Sequence, residues 1–125
     1  MEIASIAPAG RQLIESYGAG GFQVSGQRFQ GGVIVSGTET LSWPVSDFGG
    51  VSLETLAPVF RLDPAPDLLI IGCGADMALP DPALRAALKA RGLSLETMAS
   101  GAACRTYNVL IGEERHVAAA LIAVE

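Results

Sequence analysis

The chain has 125 residues, half of them apolar and 17% charged, with 15 glycines, two cysteines and a formal net charge of −5. A length of this order builds one domain burying about two-thirds of its unfolded surface, so residues 1–125 are read as a single domain, and a chain this apolar is excluded from the intrinsically disordered class. Thirteen acids face eight bases without any basic run, which excludes the Lys/Arg footprint of nucleic-acid binding or of adsorption to an anionic membrane.

Met1 to Pro8 lacks the basic start and the roughly 7–15-residue apolar segment of a secretory leader, so the cytoplasm is the expected compartment. Phe22-Gln-Val-Ser25 alternates apolar and polar, Gly26-Gln27 supplies a turn, and Arg28-Phe-Gln30 runs through Gly31-Gly32 into Val33-Ile-Val35. This pattern predicts a hairpin whose second arm is bulged at the glycines. Thr40 to Val45 predicts a further strand, placed at an edge because Pro44 has no N–H for a ladder. Ser52, as an N-cap, precedes the stripe Leu53, Leu56, Val59 and Phe60, which predicts a short amphipathic helix limited by Pro58. Arg61 to Pro66 is a turn-rich connector.

Asp67 to Ile71 is a continuous apolar run, the pattern of a strand covered on both faces, and it exits at Gly72-Cys73-Gly74. Asp81-Pro82 caps and opens a helix with Leu84, Ala87 and Leu88 inward, Arg85 and Lys89 outward, and Gly92 at its end. Leu93 to Thr97 alternates as a strand, so this stretch is a right-handed parallel crossover unit. Ser100 to Gly112 predicts a helix of about three turns with Ser100 as its cap, and Glu113-Glu114 turns the chain back onto the sheet. The final run from Arg115 or His116 to Val124 predicts a last central strand. The longest apolar stretches, Leu68–Ala75 and Val117–Val124, hold 8 residues each, far short of the roughly 20 needed to span a membrane.

Gly72-Cys-Gly74 lies where a parallel strand exits, the position at which open α/β sheets bind ligands, but position 77 is Met where a dinucleotide fingerprint needs a third glycine. A structural turn is the plainer reading of these glycines. The start of the 100–112 helix points free N–H groups and a positive dipole end at the same edge. Arg105 adds a fork of donors there, Ser100 and Thr106 add hydroxyls, and a helix N-terminus beside Arg105 would favour the Cys104 thiolate. The candidate small-anion site is therefore Gly72, Gly74, Ser100, Gly101, Cys104, Arg105, Thr106 and Asn108. The competing reading pairs Arg105 with Asp67 or Asp76 and makes Cys104 a small buried hydrophobe. Cys73 and Cys104 fall at the same sheet edge, where a redox pair would require Cα atoms within about 7 Å. His116 is a strand-end residue. No nucleophile-elbow, P-loop or zinc motif is present, so no catalytic residue, metal or cofactor is assigned.

Tyr17-Gly-Ala-Gly-Gly-Phe22, Asp67 to Gly74, Ala102-Ala-Cys-Arg-Thr-Tyr-Asn-Val-Leu110 and Arg115-His-Val-Ala-Ala-Ala-Leu-Ile-Ala123 together resemble a small family of unknown biochemical activity. That family includes the mitochondrial complex I assembly factor 3 and many bacterial single-domain proteins. The resemblance covers nearly the whole chain, and its 102–110 segment is the specific part. It implies an α/β fold of three layers, with a central mixed sheet, a small extra N-terminal sheet, packed helices, and a final strand antiparallel to its neighbours. It further implies a non-enzymatic interaction or assembly role with a protein partner, a respiratory or membrane-biogenesis subunit, since bacterial members are often encoded near protein-export genes. The chain departs from the family pattern at Cys73, where relatives often have Thr, and at Ala99-Ser100, where they have Asp-Thr; the missing carboxylate weakens any catalytic use of that edge.

Overall fold

A computed structural model describes Ile3 and residues 10–125. The expectation about a leader at Met1 to Pro8 falls, apart from Ile3, outside the described residues. Three strands, β1 (Ile14–Gly18), β2 (Gly21–Val24) and β3 (Gln27–Gln30), form an antiparallel sheet in the order β1-β2-β3. Five more, β4 (Gly32–Ser36), β5 (Thr40–Trp43), β6 (Leu68–Gly72), β7 (Ser94–Met98) and β8 (Val117–Leu121), form a mixed sheet in the order β5-β4-β8-β6-β7. Among the described residues two α-helices, α1 (Pro82–Ala90) and α2 (Ser100–Gly112), pack on this sheet, with two short 3-10 helices in the connections.

The apolar runs sit where full coverage demands them. In β6 and β8, Leu69, Ile71, Ala118 and Ala120 face one cluster with Leu88 of α1, whereas Ile70, Val117, Ala119 and Leu121 face the other with Ala103, Tyr107 and Ile111 of α2. Strand side chains alternate between faces, so the helices lie on opposite sides of the sheet. Both crossovers, β6-α1-β7 and β7-α2-β8, join parallel strands, and they step across the sheet in opposite directions. Right-handedness then requires opposite faces. The three-stranded sheet contributes Ile14, Phe22 and Val24 to the α2 side, giving three layers.

Asp81 caps α1 by accepting the Ala83 N–H at 2.9 Å, with Pro82 in the first turn where its missing donor costs nothing. Arg85 reaches from α1 to the Leu95 carbonyl at 2.7 Å and so occupies an acceptor on the edge strand β7. The other edge is β5, and Pro44 follows it directly, as its missing N–H requires.

Three expectations are corrected. Arg28 to Val35 is not one bulged arm: β3 and β4 belong to different sheets, and Gly31, at φ +85°, turns the chain between them. A Cβ on Gly32 would stand 2.7 Å from the Trp43 carbonyl oxygen and 2.8 Å from that of Leu121, so the crossing leaves no room for a side chain. Ser52 to Phe60 does not form an α-helix. Ser52 Oγ accepts the Thr55 N–H at 3.1 Å, and the chain continues as a 3-10 helix over Ala57–Arg61 with bonds of the Val59 N–H to Leu56 O type. Pro58 removes a donor that an α-helix would need, yet Leu56 and Val59 still reach the core. Finally, β8 is antiparallel to β4 only. It is parallel to β6, because α2 is long enough to carry the chain back to the start of the sheet.

Among the described residues, no helix is long and apolar enough to cross a membrane.

Candidate functional site

The carboxyl ends of β6, β7 and β8 are laced together. The Cys73 N–H donates to Met98 O at 2.8 Å, the Ser100 N–H to Gly74 O at 2.8 Å, and the Ile122 N–H to Gly72 O at 3.0 Å. Ser100 is fully buried and is not a cap: the N-cap position is Ala99 and makes no side-chain bond. Instead the Ser100 hydroxyl donates to the Ile122 carbonyl at 2.5 Å and accepts the Gly74 N–H at 3.0 Å. Beside the switch point where a doubly wound sheet usually offers its crevice, the Ser100 hydroxyl is thus engaged by the chain's own backbone. Gly72 belongs to the same packing, since a Cβ there would stand 2.9 Å from both Ser100 Oγ and Leu121 Cδ2.

Asn108 faces inward from the middle of α2 and pairs with β1. Its Nδ2 donates to Ile14 O at 2.7 Å and its Oδ1 accepts the Ile14 N–H at 3.0 Å, so the amide replaces a neighbouring strand at that residue. Tyr107, also buried, donates its hydroxyl to Gln12 O at 2.9 Å, and burial pushes its phenol above the usual range. Ring packing explains Gly101: a Cβ there would stand 2.7 Å from Tyr17 Cζ. Arg105 is exposed and directs Nη1 toward the Tyr17 hydroxyl at 3.5 Å, so its contact is neither Asp67 nor Asp76. Thr106 is half-buried on the same helix.

Cys104 does not carry a favoured thiolate. Burial pushes the thiol up to about 12, and the neighbouring Arg105 only partly opposes this. Cys104 packs in the α2-side cluster and Cys73 in the α1-side cluster, so the two thiols lie on opposite faces of the sheet, and both are free. Of the eight candidates, Gly74 borders a hollow of about 480 Å³ beside Phe48, Ile122 and Glu125; the other seven do not line it.

The sequence reading missed two partners, Ile14 for Asn108 and Tyr17 for Gly101, because both lie about ninety positions away on β1. It also passed over Met77 and Leu79, which stand 59% and 80% exposed in the loop between β6 and α1. Their signal was available: two large apolar side chains in a short Asp- and Pro-bounded turn that no helix or strand period claims.

A three-layer α/β chain, doubly wound on one sheet and clasped at its carboxyl edge, is the class of protein these residues define. The chain belongs to the family described as protein of unknown function (DUF498/DUF598), which matches residues 14–122. A Rhodobacter capsulatus protein described as uncharacterized is 35% identical over 114 residues, covering 91% of this chain and 86% of that relative. A Xenopus tropicalis protein named NADH dehydrogenase (ubiquinone) 1 alpha subcomplex assembly factor 3 is 32% identical over 110 residues, covering 88% of this chain. The chain spans 60% of the length of that assembly factor. The solution structure of the Rpa2829 protein from Rhodopseudomonas palustris superimposes with a TM-score of 0.79 at 40% identity, covering 99% of this chain and 90% of the other.

Proposed function

We propose that this chain is a non-catalytic interaction or assembly factor, acting in the cytoplasm as one folded unit on a protein partner that is a respiratory or membrane-biogenesis subunit. The observation that carries the reading is the likeness to a named complex I assembly factor across 88% of this chain. The Ser100 and Asn108 bonds support it, because polar groups otherwise available to a small ligand are spent on holding strands and helix together. Surface recognition then carries the activity. Tagged protein purified from its native host under mild conditions should bring down a respiratory or membrane-biogenesis subunit; repeated recovery of the protein alone contradicts the reading.

A further inference from the structure

We propose that the loop between β6 and α1, together with the hollows on either side of it, is a docking surface for a basic amphipathic helix of the partner. The inference rests on the interaction reading above and names the kind of segment bound. Its centre is apolar and uncovered: Leu79 is 80% exposed and Met77 59%. Ala78, between them, packs on the same cluster as Phe48, Leu53 and Leu84, so the loop is anchored while its two large side chains project. One hollow of about 450 Å³ lies on the α1 side, lined by Phe48, Leu53 and Leu84 among others, and the hollow of about 480 Å³ at Gly74 and Ala75 lies on the other. Phe48 walls both. Singly exposed apolar residues need no explanation, but this pair projects from a loop whose two ends, Gly74-Ala75 and Asp81, line the two hollows, and we take that continuity as the mark of a recognition surface.

Charge decides the occupant. The charged residues lining the two hollows are Asp47, Asp81 and Glu125, with no Lys, Arg or His, and Asp76 sits beside Met77 in the loop. Arg85, next to Leu84 on α1, is engaged by the Leu95 carbonyl, and Arg11, Arg115 and His116 line a small cleft at the opposite end of the sheet, at the start of β8. An apolar patch rimmed by carboxylates favours a segment carrying cations around an apolar stripe and repels an acidic one. Shape decides its conformation. The patch is made of loops and the first turn of α1, with no open strand edge among its residues to extend, so recognition by the side chains of a helix suits it and backbone ladder pairing does not. Met77 adds an adaptable contact of the kind used on helix-binding surfaces.

The test uses the whole chain and a synthetic helix of about five turns, Leu and Phe along one face and Lys on the other, with a control in which Glu replaces Lys. Amide NMR shifts should move saturably over residues 46–53 and 74–84 and stay still at Arg11 and Arg115. The Glu peptide should not bind. Met77→Ser with Leu79→Ser should weaken binding about tenfold or more, since the anchoring apolar area is lost. Asp47→Asn with Asp76→Asn, or raising salt from about 0.1 to about 0.5 M, should weaken it severalfold. Equal binding of both peptides, binding elsewhere on the chain, or indifference to Met77→Ser/Leu79→Ser overturns the proposal. So does self-association that the same double variant abolishes, which would assign the patch to a second copy. Thermal unfolding of each variant confirms that it is folded. A native-host pull-down separates the two levels: a respiratory or biogenesis subunit recovered equally by wild type and double variant refutes this surface and keeps the interaction role, whereas recovery of no subunit by either refutes the role itself.

Discussion

Asn108 and Ile14 exchange two hydrogen bonds, 2.7 Å from Nδ2 to O and 3.0 Å from N to Oδ1, across 94 positions of sequence. One helix side chain therefore completes the pairing of a strand residue and fastens the three-stranded sheet to α2. Asn108→Leu keeps the branching at Cγ but leaves the Ile14 N–H and C=O without partners in a buried setting. Since each unsatisfied group costs about 1–3 kcal/mol, the variant should lose roughly 3 kcal/mol in urea unfolding, with the fastest rise in hydrogen exchange along β1.

Ser100→Ala removes the partner of the Gly74 N–H and of the Ile122 carbonyl. The expected loss is about 2 kcal/mol. Hydrogen exchange should accelerate at Gly74 and at the amides joining β6 to β8, while α1 is unchanged.

Gly101→Ala tests the Tyr17 contact through a double-mutant cycle. Helix propensity alone favours Ala by up to about 1 kcal/mol. In the wild-type background the methyl must displace the Tyr17 ring, cancelling or reversing that gain, whereas in Tyr17→Ala it should appear in full. A coupling of about 1–2 kcal/mol is expected, and additive effects would show that the ring yields freely.

The buried thiol predicts an alkaline dependence. Cys104 in the folded chain titrates near 12, above its ordinary value of 9.0, so at high pH the unfolded chain releases a proton that the folded chain keeps. Its contribution to stability is complete below about pH 9 and is lost as pH rises toward 12, with a slope of up to about 1.4 kcal/mol per pH unit. Tyr107 acts in the same direction from its own ordinary value. Cys104→Ala should flatten the fall that begins near pH 9. At neutral pH Cys104 should react with iodoacetamide only on unfolding.

Much of the architecture was legible because it depends on local pattern. Unbroken apolar runs at Asp67–Ile71 and Val117–Val124 mark strands covered on both faces, and Asp81-Pro82 marks a helix start whatever it packs against. The switch at Gly31-Gly32 was not legible, since a bulge within one sheet and a crossing between two use the same residues and differ only in distant neighbours. Ser52 to Phe60 carried a helical apolar stripe, but Pro58 and the Ser52–Thr55 turn settle for a 3-10 arrangement that buries the same Leu56 and Val59. The partners of the candidate-site residues were not legible for a related reason. Ser100 at a helix start and Asn108 two turns further on have the residue types of an anion site, and only the tertiary structure reveals that Gly74, Ile122 and Ile14 engage their polar atoms.

Quantitative mass spectrometry of tagged protein recovered from its native host tests most directly whether the chain works through a protein partner. A respiratory or membrane-biogenesis subunit should be enriched in near-equal amount with wild type, retained in folded Arg105→Ala, and depleted in Met77→Ser/Leu79→Ser. Repeated recovery of the chain alone, with every variant folded, would contradict an assembly role.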